Sequence, residues 1–186
     1  MATNRQLLRE MAAEQYGYVT TRDAAAADIP AVELRKLAAR GALTNVGYGV
    51  YRVADARPDE RDQFAEALLL VGPDAYLTHD AVLALHHLAL VNPRKLRVGT
   101  PHRTRGHLPA YIEVLRRQLP PEDLTVYDGL RCTTVARALI DCRGLVMTER
   151  LREAAAEATK QGLLTRRERA AVMRALRAGT RTPQAV

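Results

Sequence analysis

Apolar residues Leu7, Leu8 and Met11 recur at helical spacing and predict a helix over residues 3–15. It opens on a Thr-x-x-Gln pattern, Thr3 with Gln6, and closes at Gly17, which adopts left-handed backbone without strain. Tyr18 and Val19 read as extended. Thr20 with Asp23 repeats the capping pattern ahead of an alanine run that favours helix, and Asp28, Ile29 and Pro30 break it. Pro30 suits the first turn of a further helix. Leu34, Leu37 and Ala38 mark the buried side of that helix. Arg35, Lys36 and Arg40 fall on its other side, and Gly41 ends it. Residues 43–46 and 50–53 alternate and carry β-branched side chains, so they predict two strands. Gly47-Tyr48-Gly49 between them supplies a tight loop.

Helix, turn, helix and then a glycine-closed hairpin is the outline of a winged helix-turn-helix. That shape lays its second helix in the DNA major groove and its hairpin loop on neighbouring phosphates. Helix 30–40 is then the base reader through Arg35, Lys36 and Arg40, with Thr21, Arg22, Asn45, Tyr48 and Arg52 as the flanking DNA-binding candidates. A small three-helix module for protein contact has the same pattern and stays open on periodicity alone.

Residues 54–59 are polar and carry a proline, and read as a linker between domains at 1–53 and 60–186. Beyond it, residues 63–71 predict an apolar helix ended by Gly72-Pro73. Thr78 is expected to cap a second helix running to about Leu90 and stopping near Asn92-Pro93. Leu96 and Val98, then Ile112, Val114 and Leu115, predict strands on either side of a polar loop, residues 100–110. Two short strands, 124–126 and 130–132, join through Tyr127-Asp128-Gly129. Thr133 and Thr134 open a helix to Cys142, and two more follow over residues 148–161 and 165–177, the last with a Thr165–Glu168 capping box. From Gly179 on a loose end is expected. The class is α/β (α+β): a winged module followed by a mixed second domain.

With 186 residues and 47% hydrophobic content the chain can bury one medium core or two small ones. No apolar run is long enough to cross a bilayer, and MATNRQLLRE holds no apolar signal region, so a cytoplasmic protein is expected. Cys132 and Cys142 lie in apolar company and read as buried reduced thiols. The net charge of +7 is unevenly spread. Residues 1–53 hold 7 basic and 5 acidic side chains, a balance of +2; residues 94–117 hold 7 and 1, and residues 143–186 hold 10 and 4, a balance of +6 each. In the last block Glu149, Glu153 and Glu157 interleave with Arg150, Arg152 and Lys160 at helix-pair spacing, which favours a solvated face. In the earlier block Arg94, Lys95, Arg97, Arg103 and Arg105 have no acid nearby in sequence. With His102 and His107 they form either a second nucleic-acid surface or an ordinary charged one.

Signs of catalysis are weak. There is no D…E-x-K constellation for a divalent metal, since the first lysine after Pro121-Glu122-Asp123 is Lys160. Gly47-x-Gly49 precedes no helix and no Gly-Lys-Ser/Thr, so it is no phosphate loop. His79, His86 and His87 lack the H-x-x-x-H spacing and are better explained by packing and capping. Neither an enzyme nor a cofactor is expected.

The segments THDAVLALHHL (78–88) and RRQLPPEDLTVYDGLRCTTVARALIDC (116–142) resemble the second domain of the AbiEi family, and GALTNVGYGVYRV resembles that family's wing. The most specific element is D-G-L-R-x-T-T-x-A-R-x-L-x-D, carried by Asp128, Gly129, Arg131, Thr133, Thr134, Ala136, Arg137 and Asp141. The resemblance implies an antitoxin of a type IV toxin–antitoxin system. Such a protein binds repeats in double-stranded promoter DNA, represses its own operon and counters a nucleotidyltransferase toxin, with or without binding it. The alternatives are a module that sequesters the toxin directly and a plain regulator with no toxin neighbour. Physically, Asp128-Gly129 makes a turn, a threonine caps the next helix, and Arg137 pairs with Asp141. These are structural roles rather than a site.

Overall fold

A computed structural model describes residues 3–104 and 106–178. The chain begins with helix α1 (Asn4–Ala13), strand β1 (Tyr18–Thr20), helices α2 (Thr21–Ala26) and α3 (Ala31–Ala39), and a hairpin of β2 (Leu43–Gly47) and β3 (Val50–Val53). Thr3 caps α1 by accepting from the Gln6 amide at 3.3 Å. The reciprocal half of the expected box is missing, because the Gln6 side chain donates to Glu10 at 3.2 Å, one turn further on. At α2 the box is complete: Thr20 accepts from the Asp23 amide and Asp23 accepts from the Thr20 amide. Pro30 is the N-cap of α3, one residue before the position expected of it. The three strands form an antiparallel sheet in the order β1-β3-β2, with Tyr51 opposite both Val19 and Asn45. Leu8, Ala12, Val19, Ala24, Ile29, Leu34, Leu43, Tyr51 and Val53 are its core.

The rest of the chain is built on a five-stranded mixed sheet in the order β6-β5-β4-β8-β7. Its elements are α4 (Asp62–Val71), β4 (Tyr76–Leu77), α5 (Asp80–Leu85), β5 (Leu96–Thr100), β6 (Ile112–Arg116), β7 (Leu124–Tyr127), β8 (Leu130–Thr133), α6 (Val135–Asp141), α7 (Thr148–Lys160) and α8 (Arg166–Arg177). Strands β5 and β6 run parallel, as do β4 and β8, while β4–β5 and β7–β8 are antiparallel. The expectation for residues 78–90 needs correction. Thr78 does not cap a helix; its hydroxyl lies 3.1 Å from His79 Nδ1, and His79 is the N-cap at φ +55°. The helix ends at Leu85 because His87, Ala89 and Leu90 turn left-handed well before Pro93. Strand β4, two residues long, carries no periodic signal of its own. Cys132 and Cys142 are buried and unlinked.

Two side chains of the winged part, Tyr18 and Val50, point away from its core and join the larger core around Leu68, Leu77 and Val98. A polar seam surrounds them. Glu66 of α4 accepts hydroxyl bonds from Tyr18 at 2.9 Å and from Tyr111. Asp62 pairs with Arg52 at 2.6 Å, and that guanidinium lies over the Tyr18 ring. The Tyr16 hydroxyl donates to the Asp128 carbonyl at 2.6 Å, and Arg61 pairs with the Asp128 carboxylate at 3.0 Å. Arg9 pairs with Asp55, so the segment read as a linker is tied to α1.

Candidate nucleic-acid interface

Helix α3 is held by Leu34, which is fully buried, with Leu37 and Ala38 packed beside it. Its opposite side is open: Ala31, Val32, Arg35, Lys36, Ala39 and Arg40 are all exposed. Lys36 pairs with Glu33 at 2.8 Å, an exposed i,i+3 contact that contributes little and is readily exchanged for a phosphate. Asn45 and Arg22 are exposed, and Tyr48, at 90% exposure, is the tip of the hairpin. The Thr21 amide donates to the Gly49 carbonyl at 2.8 Å, which fixes the start of α2 against the hairpin loop. Gly49 is left-handed at φ +69°, and a Cβ there would stand 2.7 Å from the Thr21 hydroxyl. The loop therefore needs glycine at this point for both conformation and space.

Arg52 departs from its expected role. Its guanidinium is engaged in the seam, paired with Asp62 and lying over the Tyr18 ring. The basic block at residues 94–105 is also not one surface. Arg94 and Lys95 are exposed at the start of β5. Arg97 does have acids near it: it pairs with Asp80 at 2.6 Å and Glu113 at 3.3 Å, contacts that raise its pKa against the opposing effect of burial. Arg103 lies beyond the other end of the strand, about 16 Å from the first pair at the usual rise per residue. Arg105 is outside the described residues. Arg103 and His102 share with Arg22 and Tyr48 a groove of about 1000 Å³ between the hairpin tip and the larger sheet, with Asp23 and Asp74 also on its walls. His102 pairs with Asp74 at 3.1 Å.

The residues of the D-G-L-R pattern make structural contacts. Asp128 and Gly129 are both left-handed, as a two-residue hairpin turn requires. Thr134 caps α6, accepting from the Arg137 amide at 3.3 Å. Arg137 grips Asp141 with two hydrogen bonds of 3.0 Å and reaches Asp123 at 3.0 Å, while Arg117 meets Asp141 at 3.2 Å. Burial and then the Asp141 charge hold the Asp123 carboxyl above its usual range. Sequence spacing finds the Arg137–Asp141 pair; it has no signal for Arg117, Asp123, Glu66 or Asp62, whose partners are distant in the chain. The three histidines have separate neighbours. His86 is buried with its ring tilted against that of Tyr127, His87 is exposed near Glu60, and His79 sits at the head of α5. Burial lowers the pKa of both His79 and His86. Among the described residues no group of three or more His, Cys, Asp or Glu is placed to hold a metal ion, and no helix is long and apolar enough to cross a membrane. Burial pushes the Cys132 thiol up to about 11 and raises that of Cys142 as well.

An α1-β1-α2-α3-β2-β3 order with an uncovered, cationic α3 defines a winged helix-turn-helix regulator module joined to a mixed α/β half. Residues 6–54 match the family described as transcriptional regulator, AbiEi antitoxin. No curated protein matches the chain.

Proposed function

We propose that this protein is a DNA-binding autorepressor and the antitoxin of a type IV toxin–antitoxin pair, acting against a nucleotidyltransferase toxin. The observation that carries the DNA-binding part is the open face of α3, where Arg35, Lys36 and Arg40 project on a helix that Leu34 anchors from behind. In this reading α3 enters the major groove. Arg22, Thr21, Asn45 and Tyr48 lie on the flanking backbone, and Arg103 across the groove takes a phosphate beyond the hairpin tip. A single module of this size has a small footprint, so two copies on repeated half-sites of promoter DNA are expected. The antitoxin part rests on the family match of residues 6–54 and on the resemblance of residues 78–142 to the second domain of the same family.

The test is the triple change R35A/K36A/R40A in the whole protein. All three side chains are exposed, so the fold persists and promoter binding at physiological salt is lost. Binding that survives the change rejects α3 as the reader. Co-expression with a nucleotidyltransferase encoded by the adjacent gene tests the second part: growth is restored by the wild-type chain, and failure of rescue, or the absence of such a neighbour, removes the antitoxin assignment.

A further inference from the structure

Helix α8 is basic in a way the rest of the carboxy-terminal half is not. In α7 the charges pair within the helix, Glu149 with Arg152 at 3.9 Å and Glu157 with Lys160 at 3.4 Å. That agrees with a solvated face read from spacing. In α8 five arginines, Arg166, Arg167, Arg169, Arg174 and Arg177, accompany one acid, Glu168. Glu168 is consumed by the helix itself, since its carboxylate accepts from the amide and the hydroxyl of Thr165 at 2.7 Å each. All five arginines are exposed, and none forms an ion pair among the described residues.

Their placement is not scattered. At about 100° per residue, Arg166, Arg167, Arg174 and Arg177 fall within an arc of about 100° centred near Ala170. The opposite side carries Val172 and Leu176 into the core. Between the arginines the exposed surface is Ala170 and Ala171, with no large apolar side chain. A protein partner of ordinary affinity needs apolar or aromatic anchors at the centre of the contact, and this face has none. A polyanionic backbone needs only guanidinium forks, which take phosphate oxygens in pairs, and small residues that let it come close. From Arg166 to Arg177 the face runs about 16 Å, the length over which one strand of a duplex presents about five phosphates.

We propose that the arginine face of α8 binds the phosphate backbone of double-stranded nucleic acid without regard to sequence, as a site separate from the α3 face. Four arginines facing one way would otherwise repel one another, with no carboxylate paired to them among the described residues. Counterion release from the duplex supplies the favourable free energy instead.

The test uses the whole protein and a short DNA duplex of random sequence, followed by fluorescence anisotropy over a salt series. The variant is R166Q/R167Q/R174Q/R177Q, chosen because glutamine keeps helix propensity; an unchanged thermal midpoint certifies its fold. Affinity for the random duplex falls, and the slope of log K against log salt becomes shallower by about 3.6, at about 0.9 for each lost phosphate contact. The ratio of promoter to random-duplex affinity is retained, whereas R35A/K36A/R40A destroys that ratio. An unchanged slope in the quadruple variant overturns the proposal. So does unchanged duplex binding together with lost growth rescue, which assigns the face to a protein partner. Failure of α3 to read the promoter leaves this outcome intact, because the change in slope on the random duplex depends on the α8 arginines, whatever α3 contributes.

Discussion

Glu66→Ala tests the seam between the winged part and the larger sheet. The Glu66 carboxylate is the common acceptor for the hydroxyls of Tyr18, from the winged sheet, and Tyr111, at the start of β6. Tyr18 is 2% exposed, so its hydroxyl has no water to turn to once the acceptor is gone. A hydrogen bond to a charged group contributes about 1.5–3 kcal/mol net, and stranding a buried hydroxyl costs about 1–3 kcal/mol. Tyr111 is only partly buried and recovers much of its loss from solvent. The expected destabilisation is therefore about 2–4 kcal/mol. Glu66→Gln, which keeps one carbonyl oxygen as acceptor, should cost about half as much. Urea unfolding measures this, with far-ultraviolet circular dichroism for the helices and intrinsic emission for the seam. The chain has 7 tyrosines and no tryptophan, so the emission reports the tyrosines themselves. For a slope of about 2 kcal/mol per molar urea the midpoint of Glu66→Ala falls by about 1–2 M. A loss below about 0.5 kcal/mol, the size of an ordinary surface change, refutes the argument that this carboxylate joins the two parts.

Two further outcomes follow from local geometry and from burial. Gly49→Ala should lower stability more than Gly129→Ala, because both positions are left-handed but only the first sets a Cβ 2.7 Å from a neighbouring oxygen, while nothing lies within 4 Å at the second. The left-handed penalty alone is about 1–2 kcal/mol, and equal losses in thermal melts would show that the contact with Thr21 is irrelevant. Stability should also fall as pH drops below about 6.5. Burial lowers the pKa of His79 and His86, so the stability they lend as neutral imidazoles is present above the unfolded value and lost as pH falls through the folded ones. His86→Phe, which keeps a ring against Tyr127, should remove part of that dependence; a urea midpoint of the wild type that stays flat between about pH 7 and pH 5 contradicts the account.

Features encoded within a few residues were legible in the sequence. The capping boxes at Thr20–Asp23 and Thr165–Glu168, the apolar spacing around Leu34 and the Asp128-Gly129 turn all depend on neighbours in the chain. Strand β4 was invisible because two residues make no period. Thr78 misled because a threonine before an apolar run looks like a cap, while the chain places the turn one residue later by forcing His79 left-handed. Charge was the least legible property. Counting by segment put Arg94, Arg97 and Arg103 together, yet β5 carries them to different places and turns Arg97 onto Asp80. The engagement of Arg52 is hidden for the same reason: Asp62, its partner, lies beyond the linker segment, with no signal in the neighbouring sequence.

The seam also bears on how strongly the winged part can hold DNA. Its sequence balance is only +2, and the structure ties two of its seven cations, Arg9 and Arg52, to carboxylates. Lys36 shares Glu33, which leaves Arg5, Arg22, Arg35 and Arg40 as the exposed arginines of this part without an ion pair among the described residues. Non-specific attraction grows with the number of phosphates neutralised, and a binder with so few contacts loses most of its affinity at physiological salt. If α3 reads a promoter, part of the attraction must come from the larger half, through Arg103 across the groove and the arginines of α8. The same interface makes separation costly, since cutting the chain between β3 and α4 would expose Tyr18 and Val50, which complete the larger core. On the proposed function, reading and holding fall to different halves, and the Tyr18–Glu66–Tyr111 contact is one of those that join them, with Arg52–Asp62 and Arg61–Asp128 beside it.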